Sequence, residues 1–241
     1  MNLDRLRVPL LAAASVGLVV LVVLALVVAP TAARFSAPLT QRIFYFHVPA
    51  AAAGYLAFAV TLAASVEYLR RGGERSDRWA AASAEVGVVL TSIALFTGAV
   101  WSRVEFFSVS LSGGDDFAFR LLGDAKFVTT GALWLTFLGY LALRRSVDDP
   151  DRRARLSAVF GVLGFVGVPL SYLASRFSPH PDFLQQGSGL SPGMGAILGV
   201  GMLVFVVVYA ALVVERFAVG ERIESLRQER ARQLAVAEEL P

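Results

Sequence analysis

The sequence has no cysteine, only two histidines and only three tryptophans among its 241 residues. Without cysteine, the chain cannot form disulfides, use a thiolate nucleophile, bind an Fe–S cluster through thiolates or attach a group through a thioether. Charged residues are also scarce, at 17% of the chain, whereas hydrophobic residues make up 56%. The net charge of +3 comes from arginine clusters between long apolar segments. It therefore indicates membrane topology and not nucleic-acid binding.

Six apolar segments approach or reach the roughly 20 residues that a helix needs to cross a bilayer. They cover residues 9–28, 50–69, about 79–101, 127–143, 156–174 and 194–214. The first resembles a signal peptide, but its apolar run exceeds the roughly 7–15 residues of a signal core, so we interpret it as a retained span. The predicted fold class is an all-α polytopic membrane protein. Residues 1–216 form a six-transmembrane-helix bundle, and residues 217–241 form a charged cytoplasmic tail.

The arginines predict the orientation of this bundle. They cluster before span one, between spans two and three, between spans four and five, and after span six: Arg5, Arg7, Arg70, Arg71, Arg75, Arg78, Arg144, Arg145, Arg152, Arg153, Arg155, Arg216, Arg222, Arg227, Arg230 and Arg232. Because such clusters mark the cytoplasmic side, both termini are predicted to be cytoplasmic. The loops after spans one, three and five then face outward. Both histidines, His47 and His180, fall in these outer segments.

His47 lies immediately before the expected start of span two. Val48 precedes a proline, which favours extended backbone, and Pro49 suits the first turn of a helix because its missing N–H costs nothing there. The positive end of the helix dipole would favour a neutral imidazole, the form that ligates a metal. The alternative is an interfacial histidine among the aromatic anchors Tyr45 and Phe46.

Two outward histidines could ligate a metal in two ways. Zinc would need further ligands, available from Asp115, Asp116, Asp124 or Asp182. Haem iron needs at most two axial ligands, together with aromatic walls and cations for the propionates. The outer segments contain wall candidates at Phe44, Tyr45, Phe46, Trp101, Phe106, Phe107, Phe117 and Phe119, and cations at Arg103, Arg120, Lys126 and Arg176. The alternative is an aromatic belt with arginines that meet lipid headgroups.

Three motifs carry a resemblance to a known family. The stretch Arg42-Ile43-Phe44-Tyr45-Phe46-His47-Val48-Pro49-Ala50-Ala51 resembles the start of the second span in the haem exporter protein C (CcmC) family of cytochrome c maturation. That family belongs to the haem-handling proteins with a tryptophan-rich external segment, the WWD domain. The end of span three, Thr97-Gly98-Ala99-Val100-Trp101, extends the match. Gly123-Asp124-Ala125-Lys126 is similar to the Trp-Asp-Ala-Arg that closes the tryptophan motif.

The chain departs from the family pattern in two places. Phe119-Arg120-Leu121-Leu122-Gly123 stands where family members are rich in tryptophan. The family motif Leu-His-Gln-Gly after span five reads Leu184-Gln185-Gln186-Gly187, so Gln185 replaces the second histidine. His180 lies five residues earlier, and either residue could be the second ligand. The aromatic surface is accordingly either rebuilt from phenylalanines or weakened.

The resemblance implies a protein of the cell (inner or cytoplasmic) membrane that binds haem (iron protoporphyrin IX, haem b) at the outer face. It would present the haem to the haem chaperone CcmE, on which an ABC-type complex of CcmA and CcmB acts, often with CcmD. No chemical step is expected of the chain, so it is not predicted to be an enzyme. His47 and His180 would ligate iron. The other predicted haem-binding residues are Trp101, Phe119, Arg120, Asp124, Lys126 and Arg176. Asp124 would orient a ligand or cap span four.

Two other function classes remain as alternatives. A permease or a scaffold subunit of an ABC-type complex, without its own haem site, would be expected to carry polar groups deep in several spans. Glu85 is the main such group, and it could pair with Arg78 or with an arginine of the loop before span five, or be protonated. An intramembrane hydrolase would use Ser188 or Ser191 with His180, but the Gly187-Ser188-Gly189 context indicates a flexible loop.

Overall fold

The computed structural model describes residues 4–31, 39–105, 117–177 and 190–238, and within these ranges the chain forms helices and no strand. The α-helices are α1 (Asp4–Val23), α2 (Phe44–Arg71), α3 (Glu74–Glu105), α4 (Phe117–Gly123), α5 (Ala125–Ser146), α6 (Pro150–Gly164), α7 (Gly167–Ala174) and α8 (Pro192–Glu238). A π-helical turn, Leu24–Val28, prolongs α1. Two 3₁₀ turns, Thr40–Ile43 and Ser175–Phe177, adjoin α2 and α7.

Six helical segments of the described chain are long and apolar enough to cross a membrane. They are Arg5–Val28, Thr40–Arg71, Glu74–Val104, Ala125–Ser146, Pro150–Phe177 and Pro192–Arg230. The predicted all-α six-span fold is therefore confirmed, and the protein is a multi-pass membrane protein. The cytoplasmic location of both termini stays a prediction.

The centre of the bundle is the antiparallel hairpin of α2 and α3, which share the most extensive helix–helix interface among the described residues. A two-glycine turn makes this hairpin tight. Gly72 has φ +70° and Gly73 has φ +101°, values that residues with a Cβ rarely adopt. The Gly72 N–H also donates to the Tyr68 carbonyl at 2.7 Å, which closes the last turn of α2.

Two hydrophobic clusters pack on opposite sides of this hairpin. On one side α8 packs against it and α1 packs against α8, with Leu21, Phe44 and Phe205 among the buried side chains. On the other side α5 packs against it, and the rings of Phe58 and Phe137 stack with centroids 3.8 Å apart. Residues of the hairpin therefore belong to both clusters.

The start of α2 differs from the sequence prediction. The helix begins at Phe44, so Val48 is helical and Pro49 is the sixth residue, not a first-turn residue. The proline ring removes the N–H that would bond to the Tyr45 carbonyl. Gly201 of α8 approaches that carbonyl so closely that a Cβ there would lie 2.9 Å from the oxygen. The close contact with α8 therefore occurs at the turn before Pro49, which the sequence prediction did not include in the helix.

Span five also differs, because it consists of two helices with a break at residues 165–166. Pro169 has no N–H for the Phe165 carbonyl, and the Val168 N–H bonds to it instead at 2.9 Å. At the end of the chain, α8 continues without interruption through residue 216. The division into a membrane domain and a tail stays a prediction, and the tail is helical as far as Glu238.

Ion pairs join the helices at the arginine-rich end. Arg144 donates to both carboxylate oxygens of Asp77, at 2.5 and 2.7 Å. Glu85 accepts from Arg216 of α8, with 2.8 Å for the bond from Nη2 to Oε1. The predicted partners of Glu85, which were Arg78 or an arginine before span five, were therefore wrong. Periodicity does not reveal which helix packs beside a given residue.

Candidate functional site

A pocket between α2, α3 and α5 brings together four of the eight predicted site residues: His47, Trp101, Asp124 and Lys126. It lies at the end of the bundle opposite the ion pairs, since α2 starts at the pocket and ends at Arg71. The rest of the lining is mostly apolar: Ala51, Tyr55, Ala94, Leu95, Gly98, Ser102, Leu121, Phe127 and Thr130. A mostly apolar cleft with a few convergent polar groups is typical of a small-molecule site.

The His47 ring is held against α3. Its Nδ1 lies 2.9 Å from the carbonyl oxygen of Ala94 and 3.1 Å from the hydroxyl of Thr97. A carbonyl oxygen can only accept, so Nδ1 carries the proton and donates it. In the neutral form of the ring, this places the lone pair on Nε2, the form in which histidine ligates metals. His47 is half-buried and lines the pocket.

Lys126 supplies the positive charge of the pocket. Its ammonium donates to the Tyr55 hydroxyl at 3.1 Å and to the Ser171 carbonyl at 2.9 Å. The Ser171 hydroxyl links Tyr55, at 2.8 Å, to Thr130, at 2.7 Å. These described partners of Lys126 are neutral and use two of its three donors. The third donor can bond to a further acceptor, such as a carboxylate group.

Asp124 has a structural role that the sequence suggested. It is the N-cap of α5, where its side chain accepts from the Phe127 N–H at 2.7 Å. The capping interpretation is thus confirmed. Because Asp124 also lines the pocket, the cap holds Lys126, two residues later, in place beside the cavity.

Two of the other predicted site residues, Arg120 and Arg176, are not brought into this pocket. Arg120, on α4, and Arg176, in the 3₁₀ turn Ser175–Phe177, are exposed and do not line it. Phe119 lies in α4, and its side chain is not among those described. His180 and Gln185, the two candidates for the second ligand, lie outside the described residues. Ser188 of the hydrolase alternative lies outside them as well.

No group of three or more histidine, cysteine, aspartate or glutamate side chains that could hold a metal occurs in the described ranges. The zinc candidates Asp115, Asp116 and Asp182, together with His180, lie outside the described residues, so the zinc scheme stays untested. In a haem site the protein supplies at most two ligands, and His47 is the candidate among the described residues.

Sequence reasoning missed Tyr55, Thr130, Ser171 and Gly98. A signal for the first two was present in the helical period. Tyr55 lies eight residues after His47, and Thr130 lies four residues after Lys126, so each shares a helix face with a predicted site residue. Ser171 and Gly98 reach the site through tertiary packing.

Comparison with known proteins identifies the family. The family model described as Heme exporter protein C matches residues 1–236. The chain is 35% identical to the Heme exporter protein C of Rhodobacter capsulatus over 162 residues, which cover 67% of this chain and 61% of that protein. It is 34% identical to that of Paracoccus denitrificans, covering 65% and 59%. It is 27% identical to that of Escherichia coli K12, covering 73% and 69%.

The matched region spans about three fifths of the length of the Rhodobacter and Paracoccus relatives. The family model, in contrast, covers nearly the whole chain, and its range includes the three motifs around His47, Trp101 and Asp124. The chain belongs to the Heme exporter protein C family.

Proposed function

We propose that this protein takes part in haem export for cytochrome c maturation by binding haem at the outer face of the cytoplasmic membrane. The observation that carries this proposal is the hydrogen bond from His47 Nδ1 to the Ala94 carbonyl, 2.9 Å long. It sets the tautomer in which Nε2 can ligate iron. A hydrogen-bonded second nitrogen is the usual feature of a metal-ligating histidine.

The pocket chemistry supports haem as the cargo. Trp101 and Tyr55 provide aromatic surface for the porphyrin, and Lys126 provides a cation for a propionate. Iron would be held from α2 by His47, with a second ligand from the segment after span five. His180 and Gln185 are the candidates there. The chain would supply binding, orientation and charge to the haem, with no bond made or broken in a substrate.

A site at the end of the bundle suits transfer to another protein, because haem held there keeps one edge accessible. We propose that the recipient is the haem chaperone CcmE, and that the chain works with an ABC-type complex of CcmA and CcmB, together with CcmD. The relatives bear the name Heme exporter protein C, which supports the transport context. The alternative is a permease or scaffold subunit without its own haem site.

The visible spectrum of the purified full chain tests the proposal. After addition of haem, the wild type should show the spectrum of ligated haem. His47→Ala should lower haem affinity by more than the roughly 10–100-fold that loss of a supporting partner costs, since the ligand itself is removed. No haem absorption in the wild type, or a spectrum indifferent to His47→Ala, would favour the scaffold alternative. A spectrum unchanged by His180→Ala would move the second ligand to Gln185 or to a partner protein.

A further inference from the structure

The imidazole of His47 lies directly over Gly98 of α3. A Cβ on residue 98 would lie 2.8 Å from Cε1 of the ring, 3.3 Å from Nδ1 and 3.7 Å from Nε2. We propose that Gly98 is a positioning residue, whose missing side chain lets the ring approach α3 and orients it for iron ligation. The role in ligation rests on the proposed function, but the contact itself does not.

The same arrangement occurs a second time on this hairpin. The Phe58 ring of α2 lies over Gly87 of α3, where a Cβ would lie 2.6 Å from the ring atom Cε1. His47 and Phe58 are eleven residues apart on α2, and Gly98 and Gly87 are eleven residues apart on α3. Eleven residues make about three helical turns, so each pair of positions lies on one helix face. His47 is thus packed as an aromatic ring against a glycine, in register with a purely structural pair.

What distinguishes the Gly98 contact is the hydrogen bond beside it. Ala94, whose carbonyl accepts from Nδ1, lies one helical turn before Gly98 on the same face of α3. Cε1, the atom that a Cβ would displace, is bonded to both ring nitrogens. A methyl group at residue 98 would therefore lengthen the hydrogen bond from Nδ1 to the Ala94 carbonyl and would move Nε2 at the same time. The buried Phe58 ring contains only carbon, so it makes no side-chain hydrogen bond at its glycine contact.

Thr97 does not replace this constraint. Its hydroxyl lies 3.1 Å from Nδ1, but it also donates to the Ile93 carbonyl at 2.7 Å, so it is already committed to its own helix. The close approach of the ring to the backbone of α3 thus depends on the absence of a side chain at Gly98.

Gly98→Ala and Gly87→Ala form a matched pair of variants, compared in haem titrations of the purified full chain. Gly98→Ala should weaken haem binding by about 10–100-fold and shift the Soret band toward that of His47→Ala. Gly87→Ala should keep the wild-type spectrum while lowering the unfolding temperature. A wild-type spectrum and affinity in Gly98→Ala would overturn the proposal and leave the haem function intact. Absence of haem binding in the wild type would instead contradict the proposed function and the ligation role. The contact between His47 and Gly98 would then be tested by the stability measurements alone.

A double-mutant cycle in stability tests the contact without haem. In the background that retains His47, Gly98→Ala should lower the unfolding temperature by several degrees. In the His47→Ala background the loss should be less than half as large, because the smaller side chain at residue 47 leaves room for the new methyl group. A Gly98→Ala chain that folds only in the His47→Ala background would also support the contact. Equal losses in both backgrounds, or failure to fold in both, would assign Gly98 to general helix packing and overturn the proposal.

Discussion

Asp124 combines two tasks in one side chain. It caps α5 through the Phe127 N–H, and it lines the pocket that contains His47. Another aspartate, Asp149, caps α6 in the same way, accepting from the Arg152 N–H at 2.6 Å. That residue lies at the arginine-rich end of the bundle and does not line the His47 pocket. The two caps are therefore chemically alike but differ in their distance from the site.

Removing each cap in turn should separate stability from haem binding. Asp124→Ala and Asp149→Ala should each lower the free energy of unfolding by about 1 kcal/mol, the usual effect of a lost N-cap. Only Asp124→Ala should also weaken haem binding, because the start of α5 positions Lys126. Thermal unfolding and haem titration of the two variants provide the measurements. Equal haem affinities in both variants would restrict Asp124 to capping.

At the scale of elements, α8 is held by two neighbouring residues that point to different helices. Successive residues of a helix are about 100° apart around its axis. Glu215 accordingly accepts from Arg7 of α1, at 2.8 and 2.6 Å, while Arg216 pairs with Glu85 of α3. These partly exposed pairs fix the order in which α1, α8 and α3 meet.

Reversing the charges of Glu85 and Arg216 tests this connection between α3 and α8. Glu85→Arg and Arg216→Glu should each destabilise the protein by about 1 kcal/mol, between the values for exposed and for buried pairs, because both side chains are more than a third exposed. The double variant should recover most of the loss in thermal unfolding.

A control pair lies within a single helix. Glu67 and Arg71 form an exposed i,i+4 pair on α2, at 3.1 Å. The same reversal there should change stability by no more than about 0.5 kcal/mol. If the double variant of Glu85 and Arg216 were no more stable than either single variant, the contact would not join the two helices in solution.

At the scale of the whole molecule, the two ends of the bundle have different chemistry. One end carries most of the arginines and the described interhelical ion pairs, and the other carries His47, Trp101 and Lys126. α5 has 22 residues, so it runs about 33 Å from one end to the other. From the distribution of positive charge we predict that the pocket end faces away from the cytoplasm.

Cysteine labelling tests this orientation, since the chain has no cysteine of its own. Leu122→Cys lies on α4 beside the pocket end of α5, and Ser146→Cys is the last residue of α5; both positions are exposed. A membrane-impermeant maleimide should label Leu122→Cys in cells whose outer layers have been opened while the cytoplasmic membrane is intact. It should label Ser146→Cys only after the cytoplasmic membrane is permeabilised. The opposite pattern would invert the topology and place the site in the cytoplasm.

Several features of the site follow from local sequence. His47 in the Tyr-Phe-His-Val-Pro stretch, Trp101 at the end of span three, and Asp124 and Lys126 at the start of span four were all predicted, and the structure places all four in one pocket. Each residue stands at or near a helix end, where hydropathy and capping patterns are strongest. The sequence placed Pro49 in the first turn of α2, whereas the helix begins at Phe44. The prediction failed because the packing of α8 against this turn leaves no local sign in the sequence.

The sequence by itself determined the six apolar spans and the histidine at the start of the second span. Its arginines predict the direction in which the spans are inserted. These depend on composition and on the 3.6-residue period, which are local properties of the chain. Only the tertiary structure decided that the Glu85 partner is Arg216, that Tyr55 and Ser171 hold Lys126, and that Gly98 lies beneath the His47 ring. Such contacts join residues far apart in sequence, and they depend on which helix faces meet, which no single helix specifies.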